Sequence, residues 1–303
     1  MSQSNITVTS MSDPPEADRV ADRKNHHLDV CLDEDVGSSG ATGLRGYTLE
    51  YDALPEIDLE DVDISVEVLG RRLAAPIIIG AMTGGTARAG HINKRLARAA
   101  ERVGVGMALG SQRAMIGRPE LAETFVVRDV APNLPLLFGN VGAVQLNYGV
   151  TSGDIAAALH AVGADALNVH LNPLQEAIQP EGDTRFSGLA EQLATLIAQL
   201  DVPVFAKEVG AGIGPRAAAK LAGLPLAGVE VAGVGGTSWA RVESYRAPAA
   251  SVQAEVGRRL AGFGISTARS IAVCREAFGD RVVVASGGVH SGMDVAVAIA
   301  LGA

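Results

Sequence analysis

Cysteine is scarce in this chain, which has only Cys31 and Cys274 among its 303 residues. Neither belongs to a CxxC pair, so the sequence indicates neither a disulfide framework nor a zinc site built on paired thiolates. We expect both thiols to be structural. The expected compartment is a reducing one, which favours the cytoplasm.

Export signals and long apolar runs are also missing. The first residues, MSQSNITVTSMSDPPEADRVADRK, are polar and lack the apolar core of a signal peptide. We predict that residues 1–20 form a disordered tail. The long uncharged stretch at 131–153 is broken by Pro132, Pro135 and several amides, which is not typical of a membrane-spanning helix. The sequence therefore predicts no membrane partner.

The chain has no excess of positive charge, since 25 Lys and Arg stand against 34 Asp and Glu, for a formal net charge of -9. A nucleic-acid partner is not expected, because proteins that neutralise many phosphates usually carry a basic stripe. One local basic cluster, Arg23, Lys24, His26 and His27, could still bind a small anion. The alternative is a solvated helix start with Asp22 as its N-cap.

Apolar runs and glycine are plentiful: 48% of the residues are hydrophobic and 36 are Gly, which is typical of one large α/β domain. Ala-rich amphipathic stretches such as HINKRLARAAERV separate short apolar runs, so the pattern is a βα repeat. Seven runs are predicted to be buried parallel strands: APIIIGAM, GVGMALG, LPLLFGN, ALNVHLN, VPVFAKEV, AGVEVAG and RVVVASGG.

Polar residues follow nearly every run, and this favours an α/β fold of the (β/α)8 TIM-barrel type, whose sites lie at the C-terminal ends of the strands. A doubly wound open sheet is the alternative, but it would concentrate its ligand residues at one switch point. No eighth apolar run follows GMDVAVAIALGA, residues 292–303. We therefore expect a barrel over residues 46–303 that lacks its eighth βα unit and leaves an open edge.

Two strand ends contain glycine turns. In GAMTGG, Thr83 and Gly84 would let backbone N–H groups approach a flat ring or a phosphate. In ASGGVHSGMDVA, Gly287 and Gly288 precede a predicted helix, and free N–H groups together with the helix dipole would form a phosphate cradle.

Other strand ends offer polar side chains. GSQR supplies Ser111, Gln112 and Arg113, and the planar guanidinium suits phosphate oxygens, although a surface salt bridge is equally consistent. Asn140 in GNVG could bind the edge of a heterocycle or simply occupy a turn.

Lys207 follows VPVFA, so it is expected near the end of a buried strand. A lysine there is costly unless it meets an anion or an electron-rich acceptor, and a ligand is the simplest partner. GGTSW then brings Thr237 and Trp239, the only tryptophan, for which a core position is the alternative.

The stretch ALNVHLNPLQEAIQPEG, residues 166–182, carries Asn168, His170 and Asn172 at every second position, hence on one face of a strand. Gln175 and Glu176 follow in a turn. We predict that this face points into the barrel. A structural His170, satisfied by a neighbouring amide, is the alternative.

Together these motifs resemble the FMN-dependent family of type 2 isopentenyl diphosphate isomerases. The resemblance covers roughly residues 20–303, and any one of its strings alone would be common. It rests on seven strings in order: RKNHH, MTGG, GSQR, HLNPLQE, AKEVG, GGTSW and ASGG.

The resemblance implies that residues 21–45 form a substrate-binding arm, that Gln175 faces the substrate and that Glu176 is the Mg²⁺ ligand. It implies that the substrate diphosphate is bound by Arg23, Lys24, His27, Gln112 and Arg113. It implies that FMN is bound by Met82, Thr83, Gly84, Ser111, Asn140, Lys207, Thr237, Gly287 and Gly288.

The family reaction interconverts isopentenyl and dimethylallyl diphosphate with reduced FMN, Mg²⁺ and NADPH or another reductant, and family members assemble as tetramers or octamers. No Asp or Glu pair in this chain suggests the usual acid and base. Our hypothesis is that reduced FMN handles the proton at N5. The catalytic side chains His170, Asn172 and Gln175 would orient the substrate, and Trp239 would stabilise positive charge. Another FMN-dependent barrel oxidoreductase and an inactive truncated relative are the alternatives.

Overall fold

The chain is described by a computed structural model over residues 16–303, with side chains from Asp22 onward. Its first helix, α1, covers Glu16–Asp33. Residues 16–20 are therefore helical, so the helix begins five residues before the predicted boundary at 21, and the rest of the predicted tail lies outside the described residues. Asp22 lies inside α1 and is not an N-cap.

A seven-stranded parallel sheet forms the centre of the fold, and its strands follow one another in chain order. All seven predicted strands are confirmed. They are β3 (Ile78–Ile79), β4 (Gly106–Ala108), β5 (Leu137–Gly142), β6 (Ala166–Leu171), β7 (Val204–Glu208), β8 (Gly228–Glu230) and β9 (Val282–Val284). A short antiparallel hairpin, β1 (Val66–Val68) and β2 (Arg71–Leu73), precedes them.

Helices connect the parallel strands. They are α2 (Ala87–Val103), α3 (Ser152–Val162), α4 (Pro173–Ile178), α5 (Leu189–Gln199), α6 (Pro215–Ala222), α7 (Trp239–Arg246), α8 (Val252–Arg259), α9 (Thr267–Phe278) and α10 (Gly292–Ala300). Short 3-10 turns cover Leu44–Gly46, Leu59–Asp61, Gln112–Ala114, Pro119–Thr124 and Ala143–Tyr148. Local sequence sets several helix starts: Thr151 and Asp154 form a capping box on α3, and Ser291 and Asp294 form another on α10.

The sheet is apolar on both sides because helices cover its outer face while it curls around an inner cluster. Inside, the rings of Phe138 and Phe205 meet edge to face with centroids 5.2 Å apart. The hairpin adds Val68 and Leu73 to this inner cluster. Buried Cys274 packs in the outer core and Cys31 is half-buried; both thiols are free, as expected of structural cysteines.

Within residues 16–303, β3 and β9 each pair with one neighbouring strand only. This agrees with the predicted α/β barrel sheet of seven βα units. Among the described residues, no helix has both the length and the apolar character needed to cross a membrane.

Candidate active site

A cleft opens over the carboxyl ends of the parallel strands, with about 730 Å³ of empty space that includes its open mouth. It is lined by side chains from α1, from the strand ends and from the loops that follow them. Most of the predicted site residues line it: Arg23, Lys24, His27, Met82, Ser111, Arg113, Asn140, His170, Asn172, Gln175, Glu176, Lys207 and Trp239.

Helix α1 places its basic residues in the cleft, because Arg23 and Lys24 each lie about one helical turn before His27. His27 lies edge-on to Trp239, with ring centroids 5.2 Å apart. Its Nε2 lies 3.0 Å from a carboxylate oxygen of Glu243 on α7. The neighbouring His26 is exposed.

Positive charge dominates the cleft. Burial, and then the charge of Arg23, lowers the pKa of Lys24 to about 8. Burial, and then the charge of Arg113, lowers the pKa of Arg23. Cations that lower one another's pKa are stabilised by an anion placed between them, so this end of the cleft suits a phosphate group.

Glu176 is the buried carboxylate that faces these cations. Its Oε1 accepts a hydrogen bond of 2.8 Å from Asn172 Nδ2, and its Oε2 accepts one of 2.7 Å from the backbone N–H of Asp183. Burial raises the pKa of Glu176, although the two hydrogen bonds and the charge of Arg23 act in the opposite direction. No group of three or more His, Cys, Asp or Glu side chains in the part of the chain that the structure describes could hold a metal ion on its own. A cation here would need oxygens from a bound ligand.

Arg113 is held in place by Asp183, whose Oδ2 lies 2.5 Å from Arg113 Nη1 and also accepts from Gln145 Nε2 at 2.9 Å. Asp183 thus joins the guanidinium to the turn that holds Glu176. Gly182 makes this turn possible, since a Cβ there would lie 1.8 Å from the carbonyl oxygen of Glu176.

His170 lies at the end of β6, with Nδ1 2.7 Å from Asn140 Oδ1. Burial, and then the charges of Lys207 and Lys24, lowers the pKa of His170 to about 3, so the imidazole is neutral. The contact with an amide oxygen assigns the proton to Nδ1 and leaves Nε2 as an acceptor. Asn140 is thus the neighbouring amide that a purely structural His170 would need. His170 also lines the cleft, as a residue that contacts a ligand would.

Lys207 has protein partners where the sequence suggested a ligand. Its Nζ lies 2.9 Å from Glu230 Oε1 and donates to the carbonyl of Glu208 at 2.8 Å. Asn168, the first residue of the polar face of β6, donates to the other oxygen of Glu230 at 3.1 Å. The neighbouring strand β8 thus supplies a counter-charge that the sequence analysis did not foresee. Lys207 also lines the cleft, so its contact with a ligand stays a prediction.

Glu243 joins three parts of the site, and the sequence analysis missed it. This fully buried carboxylate accepts from Gln175 Nε2 at 2.9 Å, contacts Arg246 at 2.5 Å and lies against His27. Burial opposes its ionisation, but the hydrogen bond from His27 and the charge of Arg246 outweigh burial and lower its pKa to about 2. The available signal was its position four residues after Trp239, on the same face of a short helix.

Six predicted residues do not line the cleft: Gln112, Thr83, Gly84, Thr237, Gly287 and Gly288. The side chain of Gln112 is occupied elsewhere, donating to the carbonyl of Ala158 at 3.0 Å and accepting from the backbone N–H of Asn140 at 3.0 Å. Gln112 therefore fixes the backbone of Asn140, whose side chain lines the cleft. Thr83 is buried, and Gly84 provides room for the ring of Phe125.

The predicted phosphate cradle is packed against protein. A Cβ on Gly287 would lie 2.1 Å from the carbonyl oxygen of Gly233, and one on Gly288 would lie 2.3 Å from that of Gly235. The N–H groups of His290 and Ser291 are bound by the capping carboxylate of α10. These glycines therefore allow two turns to pack closely, and Thr237 bridges to Gly37.

The fold and the cleft define the class, an α/β barrel protein with a cleft lined by basic side chains at the strand ends. Solved structures with this fold include a mandelate oxidase variant with a monooxide FMN adduct, at TM-score 0.56 and 18% identity over 95% of this chain and 82% of that one. A flavocytochrome b2 variant with sulfite bound aligns at TM-score 0.60 and 19% identity over 87% of this chain and 64% of that one. At this identity the likeness concerns the fold alone.

Sequence relatives identify the particular family. The chain is 49% identical to an isopentenyl-diphosphate delta-isomerase of Mycolicibacterium vanbaalenii, over 96% of this chain and 83% of the relative. It is 48% identical to one of a Synechococcus species and 45% identical to one of Rickettsia felis, over 93% of this chain in both alignments and 80% and 81% of those relatives. This chain belongs to the isopentenyl-diphosphate delta-isomerase family, and the resemblance is confirmed. No family model matches the sequence.

Proposed function

We propose that this protein interconverts isopentenyl and dimethylallyl diphosphate by a 1,3-proton shift, with reduced FMN, Mg²⁺ and NADPH as the reductant. The observation that carries the proposal is the cleft in which Arg23, Lys24 and Arg113 surround the single carboxylate of Glu176. This arrangement suits a diphosphate that brings its own metal, because Mg²⁺ takes one or two carboxylates and fills its other positions with phosphate oxygens and water.

The predicted flavin residues fit a planar polar ring at the strand ends. Met82, Ser111, Asn140 and Lys207 line the same cleft, and Gly142 leaves space beside His170, since a Cβ there would lie 3.0 Å from the imidazole Nε2. We propose that these four side chains hold FMN. When bound, reduced FMN would supply the proton that is added at C4 and accept the one removed from C2.

The remaining residues would position the substrate. Neutral His170 offers Nε2 as an acceptor, and Asn172 has an Oδ1 that is buried without a hydrogen-bond partner. Gln175, held by Glu243, and Trp239, held beside His27, would lie against the hydrocarbon part. The ring of Trp239 would stabilise positive charge that develops at C3 by about 1 to 2 kcal/mol.

The finer assignments belong to the same proposal. Residues 21–45 would be the substrate-binding arm and 46–303 the barrel, in a cytoplasmic homo-oligomer without nucleic-acid partners. The net charge of -9 and the two free thiols support this assignment.

The test is an anaerobic incubation in D₂O with isopentenyl diphosphate, FMN, NADPH and Mg²⁺, followed by proton NMR. We expect dimethylallyl signals with deuterium incorporated. Gln175→Leu should lower turnover much more than flavin affinity, whereas Arg258→Gln, an exposed change on α8, should leave both unchanged. Net oxidation of a substrate would identify an FMN-dependent oxidoreductase, and absence of both flavin binding and conversion would identify an inactive relative.

A further inference from the structure

We propose that residues 47–64, here called the acidic apolar segment, bind the basic face of α2 on a second copy of this chain. The segment has no regular secondary structure apart from the turn at Leu59–Asp61. It connects the 3-10 turn at Leu44–Gly46 to β1, and it lies outside the cleft.

The segment exposes an unusual amount of apolar surface. Leu59 is 90% exposed, Tyr51 86% and Leu54 74%. The exposed apolar side chains are Tyr47, Leu49, Tyr51, Leu54, Ile57, Leu59, Val62 and Ile64. Single exposed apolar residues are ordinary, but a continuous run of this kind marks an interaction surface.

Local hydrogen bonds order the backbone at two points along the segment. Asp52 Oδ1 accepts from the N–H of Leu54 at 2.9 Å, and Asp63 Oδ1 accepts from the N–H of Ser65 at 2.8 Å. Such turns order the backbone without using the apolar side chains, which remain available to a partner.

The charge of the segment specifies the partner. Residues 47–64 contain seven acidic residues and no basic one, and among the described residues only Asp63 forms an ion pair, with Arg72 at 3.0 Å. The surface that complements it should be basic, with apolar atoms between its charges.

Helix α2 presents such a surface. Its buried face packs Ala89, Ala97 and Ala100 against the sheet, and its opposite face is exposed. The basic face consists of Arg88, Arg95, Arg98 and Arg102, spaced three, four or seven residues apart along one side of the helix. Arg95, Arg98 and Arg102 have no ion-pair partner among the side chains of residues 22–303, and their aliphatic stems would cover apolar side chains.

The two surfaces also match in length. Arg95 to Arg102 spans about 10 Å along the helix axis. The acidic residues from Glu56 to Asp61 occupy a stretch of comparable length, roughly 10 to 17 Å, since part of it is extended and part is a 3-10 turn. A two-fold pair in which each copy's segment binds the other copy's helix leaves neither surface uncovered, and so does a closed head-to-tail ring.

The test is charge reversal with rescue, read as molar mass by light scattering after gel filtration. One variant carries Glu60→Lys with Asp61→Lys, a second carries Arg95→Glu with Arg98→Glu, and a third combines all four changes. The wild type should form a discrete oligomer, each double variant should lose mass, and the combination should restore it. Arg258→Glu with Arg259→Glu on α8 is the matched control and should leave the mass unchanged.

Circular dichroism melting distinguishes lost association from lost folding, and Leu59→Ser tests the apolar part separately. A monomeric wild type at micromolar concentration would overturn the proposal. So would double variants that keep the wild-type mass, or a combined variant that stays dissociated, because the two surfaces would then not face each other. The result does not depend on catalytic activity.

Discussion

At the scale of single residues, the cleft depends on charges that are buried but paired. Glu243 is fully buried, and His27, Gln175 and Arg246 all bind its carboxylate. Removing the charge of Glu243 would leave Arg246 without its buried counter-charge. The resulting loss of stability exceeds what the ion pair itself contributes to the free energy of unfolding.

We expect Glu243→Gln to lower the free energy of unfolding by about 2 to 3 kcal/mol at neutral pH. The folded pKa of Glu243, about 2, lies below its ordinary value of 4.5, so its stabilisation is present above pH 4.5 and is lost as the pH falls towards 2. Urea unfolding at pH 7 and pH 3 should therefore show a gap between wild type and variant that shrinks in acid. Glu255→Gln, on exposed α8, is the control; a gap independent of pH would contradict the assignment.

Lys24 gives a second pH dependence, on the alkaline side. Because its pKa is lowered to about 8, the free protein loses this charge as the pH rises through 8, and diphosphate binding should weaken. kcat/KM, which reports groups of the free enzyme, should fall by up to tenfold per pH unit above 8. Lys24→Arg keeps its charge and should flatten this limb. A fall of the same size in both proteins would assign the titration to another group.

Asp183 is a positioning residue because it acts through Arg113 and the turn at Glu176. Asp183→Asn keeps the N–H that binds Glu176 but removes the charge that orients the guanidinium. We expect KM for the diphosphate substrate to rise about tenfold, which corresponds to about 1.4 kcal/mol, with a smaller change in kcat. Asp129→Asn, which breaks an exposed ion pair with Lys94, is the control. A tenfold fall in kcat with an unchanged KM would exclude this role.

Sequence reasoning succeeded for residues whose direction follows from strand alternation. His170 lines the cleft near the end of β6, and Asn172 lines it directly after the strand, two residues further on. Arg113 ends a motif with a charge that must reach solvent or a ligand. Gln112 could not be assigned in this way, since its turn sends the side chain back to Ala158. Glu243 was missed because its three partners are distant in sequence, where no local pattern records them.

At the scale of elements, the turn at residues 179–183 connects the two sides of the cleft. Glu181 binds Arg246 at 2.6 Å on one side, and Asp183 binds Arg113 at 2.5 Å on the other. The apolar run predicted the strand before this turn. The contacts of the turn with Arg113 and Arg246 could not be predicted, because they depend on how β4, β6 and α7 come together. The early start of α1 was also missed, because a polar helix without a strong apolar stripe resembles a tail.

Gly182→Ala tests this turn. The added Cβ would lie 1.8 Å from the carbonyl oxygen of Glu176, so the turn must shift and Glu176 with it. We expect a loss of about 1 to 3 kcal/mol in stability, and a weaker response of activity to Mg²⁺. Gly153→Ala on α3 is the matched control, because a Cβ there would lie 3.7 Å from Thr151 Oγ1, an ordinary van der Waals contact. If the activity of Gly182→Ala responded to Mg²⁺ as the wild type does, the turn would not position the proposed Mg²⁺ ligand Glu176.

At the scale of the whole molecule, the cleft is shared between the α1 arm and the strand ends of the barrel. Arg23 comes from one and Arg113 from the other, so a ligand that binds both ties the arm to the barrel. The barrel class followed from seven apolar runs in order, whereas the docking of the arm depends on contacts of α1 with α7 that only the folded chain reveals.

Inorganic diphosphate with Mg²⁺ should therefore raise the melting temperature of the whole protein. A ligand at a hundred times its Kd stabilises by about 2.7 kcal/mol, which corresponds to roughly 5 °C for a chain of this size. Scanning fluorimetry should show the shift shrinking as salt is added, since exposed parts of the cleft are screened. Arg23→Gln and Arg113→Gln should each reduce the shift, and Arg258→Gln should retain it. The same shift in all three variants would place the diphosphate outside the cleft, whereas loss in Arg113→Gln alone would show that the arm does not take part in binding.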